Sequence, residues 1–249
     1  MRHHQLLAID TSTEIMSVAV SCLRDGVPHL WQCQGAAGAQ ASARMIPAIL
    51  DLMAEAEMQL PDLDAICFGS GPGSFTGLRT ACAVAQGLAF GAQVPLLPID
   101  TLLAVAEDAR WTTLQDQSTF IVTALIDARM DEMYAARYVY EQGQWTTLQS
   151  SYLVRPEDLQ VSKIMAGNVF GIYGDRIATQ ENAPQQRIGA YPSAAALLRL
   201  APHMLLQGAA IAAENALPEY IRDKVAQTTD ERMAEKAARL QAQHGTPAL

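Results

Sequence analysis

Residues 6–26 read LLAIDTSTEIMSVAVSCLRDG, and residues 123–143 read TALIDARMDEMYAARYVYEQG. Slid over one another by 117 positions without a gap, Ile9-Asp10 falls on Ile126-Asp127, Glu14 on Asp131, and Arg24-Asp25-Gly26 on Glu141-Gln142-Gly143. In each copy an apolar strand ends at an Asp, a short polar turn follows, a strand of alternating character returns, and a Gly turns the chain again. Two copies of one such unit predict duplicated α/β subdomains rather than a single doubly wound sheet; two chance hairpins are the alternative.

Outward from the first copy, Val27 to Cys33 makes a third strand and Gly35 to Gln40 a small-residue loop. From Ser42, residues Met45, Ile46, Ile49, Leu50, Leu52, Met53 and Met58 recur at three- and four-residue steps, which predicts a helix. Its apolar band is wider than one core face needs. Either the helix is buried between a sheet and a neighbour, or part of the band meets another subunit. Ala65 to Phe68 is a buried strand that enters a glycine loop, followed by a helix from Leu78 to about Phe90, a strand from Val94 to Ile99 and a helix from Leu102 to Arg110. Strand, loop, helix, strand is α/β organisation with at least one parallel pairing. Beyond Gln149, Tyr152 to Leu159 reads as loop and turn, Lys163 to Phe170 as a strand, and Ser193 to Leu206 as an amphipathic helix. Glu219 to Leu240, with Arg222, Lys224, Arg232, Lys236 and Arg239, reads as a solvated helix, and Gln241 to Leu249 as a frayed end. The expected division is 1–100, 101–215, and a tail of 216–249 able to pack back on the first unit.

The 249 residues carry 26 acidic and 17 basic side chains, a formal net charge of −9 that counts against unaided binding of nucleic acid or an anionic membrane. Only 17% of residues are charged and 50% are hydrophobic, so much of the surface is uncharged and a buried partner face is expected. The 20 uncharged residues between Arg79 and Asp100 contain Gln86, Gly87, Gly91, Gln93, Pro95 and Pro98, which break them into a helix and a strand instead of a membrane span. Leu6 to Ile9 is too short for a secretory core, and the chain reads as cytoplasmic. Cys22, Cys33, Cys67 and Cys82 form no CxxC pair and read as buried reduced thiols. The five His form no HxxxH or HExxH spacing, so no metal ligand set is visible.

The loop GSGPGSFTGLRT, residues 69–80, is the candidate anion site, because N–H groups at a helix N-terminus favour negative charge. It is not a Walker loop, since Pro72 stands five before Gly77 and Leu78 replaces Lys; nor a dinucleotide fingerprint, since Ser74 takes the third glycine's place. Ser74 and Thr76 offer hydroxyls and a helix cap, and Arg79 a planar donor fork. With Asp10, Thr11 and Ser12 of the first turn and Asp127 and Arg129 of the second, they make up a candidate ligand cleft. Phe75, large and apolar at a loop tip, is either a plug under the loop or a contact for a partner or base.

LLAIDTST with MSVAV, GPGSFTGLRT with VAQGLAFG, VPLLPIDTL, IDARMDEMYAARY and ALPEYIRDKVAQ together resemble the TsaB (YeaZ) family over nearly the whole chain. The resemblance implies two actin-like (ASKHA, ribonuclease H-like) subdomains, with mixed sheets flanked by helices. Folds of this kind use Asp-turn hairpins to hold phosphates or metal between their halves. It also implies a non-catalytic subunit of the complex that makes N6-threonylcarbamoyladenosine at position 37 of ANN-decoding tRNAs. That subunit pairs with the catalytic relative TsaD, is joined by the ATPase TsaE, and reaches tRNA through the complex. No cofactor of its own is expected, ATP and metal belonging to the partners. TsaD-like relatives hold a metal through two His where alignment places Thr101 and Val105, and many relatives carry a His near Ala41. Thr11 and Ser12 would crowd a phosphate where nucleotide-using relatives have glycine. The expected partner face is Met45, Ile46, Ile49, Leu52 and Met53 of one helix with Leu78, Ala81 and Ala85 of the next, a face through which an isolated chain could also pair with itself. The alternative is a stand-alone actin-like ATPase or kinase using Asp10 and Asp127 to position metal and a water or hydroxyl. A peptidase has neither a Ser-His-Asp spacing nor a zinc set to support it.

Overall fold

The computed structural model describes residues 4–37, 41–160, 162–178 and 186–222. Its strands are β1 (Leu6–Asp10), β2 (Ile15–Arg24), β3 (Val27–Ala36), β4 (Ala65–Gly71), β5 (Leu96–Asp100), β6 (Thr119–Arg129), β7 (Glu132–Glu141), β8 (Gln144–Val154), β9 (Ile164–Gly167) and β10 (Gln186–Gly189). The helices are α1 (Ala41–Glu55), α2 (Phe75–Ala92), α3 (Thr101–Thr113), α4 (Phe170–Tyr173) and α5 (Ala194–Leu206).

The strands form two five-stranded sheets, β3-β2-β1-β4-β5 and β8-β7-β6-β9-β10. Each has the same pattern: an antiparallel meander of three strands, then two strands added in parallel. Asp10 ends β1, and Asp127 stands at the matching end of β6, so the repeat at 117 residues is a structural duplication.

Five layers follow from which faces are apolar. On the outer face of the first sheet, α1 and α2 lay Met45, Ile49, Leu52, Met53, Ala81, Cys82, Ala85 and Ala89 against Val18, Val20 and Phe68. Between the sheets lie α3 and α5. Ala194, Leu197, Leu198 and Ala201 of α5 pack on Leu6, Ala8, Ala19 and Cys67, whereas Leu102, Val105, Ala106 and Ala109 of α3 pack on Val122, Ala124 and Tyr138. Tyr173 closes the far face of the second sheet with Leu125, Met133 and Met165. Helix α5, which follows the second sheet in the chain, thus rests on the first.

Several sequence readings change. Met45, Ile49, Leu52, Met53, Leu78, Ala81 and Ala85 are all core, at most 6% exposed; of the eight expected interface residues only Ile46, at 46%, reaches solvent. The three- and four-residue spacing locates the buried stripe of a helix, and that stripe is taken up by the chain's own sheet. Helix α5 is not amphipathic over its first turns, because it is enclosed by α3 and the first sheet. Tyr152–Val154 belong to β8 rather than to a loop, paired with Met133–Ala135. Met58 falls beyond the end of α1 at Glu55, and α2 starts three residues earlier than read, capped by Ser74. Residues 219–222 are not helical, while Lys224, Arg232, Lys236, Arg239 and the stretch from Gln241 to Leu249 lie outside the described residues. Cys22, Cys67 and Cys82 are buried thiols, and Cys33 is half-buried on an edge strand. No described helix is long and apolar enough to cross a membrane.

Candidate functional site: the cleft between the two Asp turns

Asp10 is wholly buried at the end of β1. Its Oδ1 accepts from the Ser12 N–H at 3.0 Å and the Ser12 hydroxyl at 2.7 Å, whereas Oδ2 has no donor among the described groups. Burial pushes the carboxyl up to about 7, against the lowering effect of the Ser12 bonds. The glycine loop is moulded onto this turn. A Cβ at Gly69 would strike the Asp10 carboxylate, one at Gly73 the Ser12 carbonyl, and one at Gly77 the Thr11 carbonyl. Ser74 N–H donates to the Ser12 carbonyl at 2.7 Å, and the Thr11 hydroxyl donates to the Gly77 carbonyl at 2.7 Å. The close approach that these glycines permit is therefore filled by carboxylate and carbonyl oxygens of the same chain, which repel a phosphate where N–H groups would attract one. Thr101 is buried, its Oγ1 accepting from Gly71 N–H at 3.0 Å, and Val105 lies in the core. No group of three or more His, Cys, Asp or Glu suited to a metal occurs among the described residues.

The second turn is built differently. Asp127 Oδ1 accepts from Arg129 N–H and the Tyr173 hydroxyl, both at 2.9 Å, and Oδ2 pairs with the Arg129 guanidinium at 3.0 Å. Burial, with Asp127 alongside, pushes the Tyr173 phenol up to about 12. Arg129, Met130 and Asp131 have φ of 61°, 54° and 65°, three consecutive left-handed residues with no glycine among them. Each costs about 1–2 kcal/mol, so the turn persists only because its neighbours hold it. Arg222 reaches the Arg129 carbonyl and Met130 Sδ at 3.4 and 3.0 Å, and Arg176 forks onto Asp131 at 2.8 and 3.2 Å.

Between the turns lies a cavity of about 450 Å³, walled by residues 12–14, 72–75 and 127–130, by Tyr134 and Asn168, and by residues 219–222. Of the eight candidate cleft residues, Ser12, Ser74, Asp127 and Arg129 line it. Asp10 and Thr11 are buried and do not, and Thr76 and Arg79 face a shallow groove along α2. Phe75 is half-buried, lining both the cavity and this groove while packed within its own chain: the Arg79 guanidinium stacks 3.6 Å from its centroid, Tyr220 lies at 5.3 Å, and Arg79 Nε donates to the Tyr220 hydroxyl at 2.8 Å. Glu14, Tyr134, Asn168, Tyr220 and Arg222 were not found from sequence. For the last two the stretch LPEYIRD offered a signal, since Pro218 disfavours a helix through it and biases the residue before it to an extended conformation.

The tRNA threonylcarbamoyladenosine biosynthesis protein TsaB of Haemophilus influenzae is 35% identical to this chain over 236 residues, covering 90% of it and 96% of the relative. The Escherichia coli protein of the same name is 33% identical over 89% of this chain and 96% of its own. The chain belongs to the TsaB (YeaZ) family. YeaZ from Pseudomonas aeruginosa superposes with a TM-score of 0.75 at 37% identity, over 87% of this chain and 99% of that one. Residues 36–243 also match the family model of TsaD, tRNA N6-adenosine threonylcarbamoyltransferase. The TsaB membership and the two like-ordered sheets agree on the duplicated actin-like α/β architecture.

Proposed function

We propose that this TsaB-family chain serves the formation of N6-threonylcarbamoyladenosine in tRNA, in the cytoplasm, as a scaffold subunit without a catalytic site of its own. It docks on and stabilises a catalytic TsaD subunit and helps to recruit the TsaE ATPase, with ATP and metal residing on those partners. The observation that carries this reading is the glycine loop filled by the Thr11 and Ser12 carbonyls. A phosphate has no room there, and Asp10, which an ATPase would need at its ligand, is buried beneath the turn. The tRNA threonylcarbamoyladenosine biosynthesis role named for its relatives suggests the pathway. A net charge of −9 suits a division of labour in which tRNA contact falls to a basic partner.

The docking face we assign is the outer surface of α1 and α2, whose buried sides cover one face of the first sheet. Ile46, Leu50 and Phe90 are 46%, 55% and 78% exposed there, beside the small residues Ala83, Gly87 and Gly91. This apolar surface replaces the buried residues first expected. Changing Leu50 and Phe90 together to Glu leaves the fold intact and abolishes co-purification with TsaD; undiminished pairing overturns the assignment. Calorimetry of the isolated chain with ATP and Mg²⁺ is expected to show no binding, and saturable heat would favour the ATPase alternative.

A further inference from the structure

The stretch from Ile211 to Arg222 touches both halves of the molecule. Ile211 exchanges two backbone hydrogen bonds with Leu96 of β5, at 2.8 and 2.9 Å. Gln86 Nε2 of α2 donates to the Ala213 and Ala216 carbonyls at 3.0 Å each. Glu219 N–H donates to the Ser70 carbonyl of β4 at 2.7 Å, and the Glu219 carbonyl rests against Gly71 where a Cβ would collide. Tyr220 stacks with Phe75 and Arg79. Ile221, half-buried, then packs against the core of the second half. Arg222 pairs with Glu132 at 2.5 Å and reaches the Arg129 carbonyl and Met130 Sδ. The same stretch forms one wall of the cavity.

We propose that Ile211–Arg222 is a clasp that fixes the width of the cleft, and that the left-handed turn at Arg129–Asp131 depends on it for its conformation. Arg222 holds the turn only as firmly as the stretch behind it is anchored, and that anchor is the Phe75–Arg79–Tyr220 stack with Glu219 on β4. Arg79, whose partners among the described residues are Phe75 and Tyr220, thus acts on a turn in the other half through the intervening chain. The inference does not depend on the docking face or on the pathway.

Hydrogen–deuterium exchange on the isolated full-length chain tests it. Arg222→Ala is expected to raise amide exchange across residues 128–133 by about tenfold, and Arg79→Ala to raise it there by about threefold, in addition to local effects at 70–80 and 216–222. Because both act through one clasp, the double variant exchanges no faster than Arg222→Ala alone. Tyr220→Phe, which keeps the ring and loses only the bond from Arg79, gives a smaller rise in the same peptides. Confinement of the Arg79→Ala effect to 70–80 and 216–222, or effects that multiply in the double variant, overturns the proposal. Should Arg222→Ala prevent folding, Arg79→Ala and Tyr220→Phe still decide it, with circular dichroism confirming that they are folded.

Discussion

At Asp10 the carboxyl keeps one oxygen on Ser12 and leaves the other without a donor, and burial raises it to about 7. An unfolded Asp titrates near 3.9, so the folded state holds this proton more tightly than the unfolded chain does. Stability from this group is therefore fully present below about pH 4, falls as pH rises toward 7, and stays low above it. Asp10→Asn keeps an acceptor for Ser12 and removes the charge. Its stability is expected to match the native chain near pH 4 and to exceed it at pH 8 by up to about 4 kcal/mol, three pKa units at about 1.4 each. Urea unfolding at both pH values checks this, and an unchanged pH slope would contradict it. Sequence placed Asp10 correctly at a strand end facing a turn. That the turn would fold over it was not legible, because burial of a polar side chain depends on what a distant loop lays on top.

Helix α2 shows at the scale of an element how little a glycine's presence says about its purpose. Gly77 is required by contact: a Cβ there meets the Thr11 carbonyl, and Gly77→Ala should destabilise by about 1–3 kcal/mol through overpacking. Gly87, on the exposed side of the same helix, has no atom within 4 Å of an added Cβ, and Gly87→Ala should stabilise the isolated chain by about 0.5–1 kcal/mol. Thermal and urea denaturation of the two variants distinguish them by the sign of the change. The helix was readable from spacing after a glycine loop, and so was α1. Which stripe of α1 was spare was not: Met45, Ile49, Leu52 and Met53 face the sheet, but the solvent-facing Ile46 and Leu50 stand four apart in the same helical spacing, so periodicity alone does not tell the two stripes apart.

Across the whole molecule, α3 packs on both sheets while α5 packs on the first sheet and on α3, so the two halves share the helical layer between them. Glu107 of α3 is the polar pin of this shared layer. Buried to 3% side-chain exposure, it accepts from Arg110 at 2.7 Å twice, from Arg199 of α5 at 2.8 Å and from Trp145 of β8 at 3.0 Å. Glu107→Ala leaves the Arg110 guanidinium without its carboxylate and Arg199 with only Asp108 at 3.8 Å, and should cost about 3–5 kcal/mol. Urea transitions followed in variants retaining only Trp31, in the first sheet, or only Trp145, in the second, should coincide and shift together on this substitution. Separate transitions would mean that the halves fold independently. The duplication, the order of the strands around each Asp and the family were all legible in the chain, because strand periodicity, turn residues and a repeat of fixed offset are local patterns that survive without knowledge of neighbours. The glycine loop filled by the Thr11 and Ser12 carbonyls, the exposed strip of α1 and α2, the layer shared by the sheets and the clasp across the cleft became visible only in three dimensions. Each depends on contacts between residues far apart in sequence, such as Thr11 with Gly77 and Arg79 with Tyr220, and no local pattern encodes which distant surface a side chain will meet.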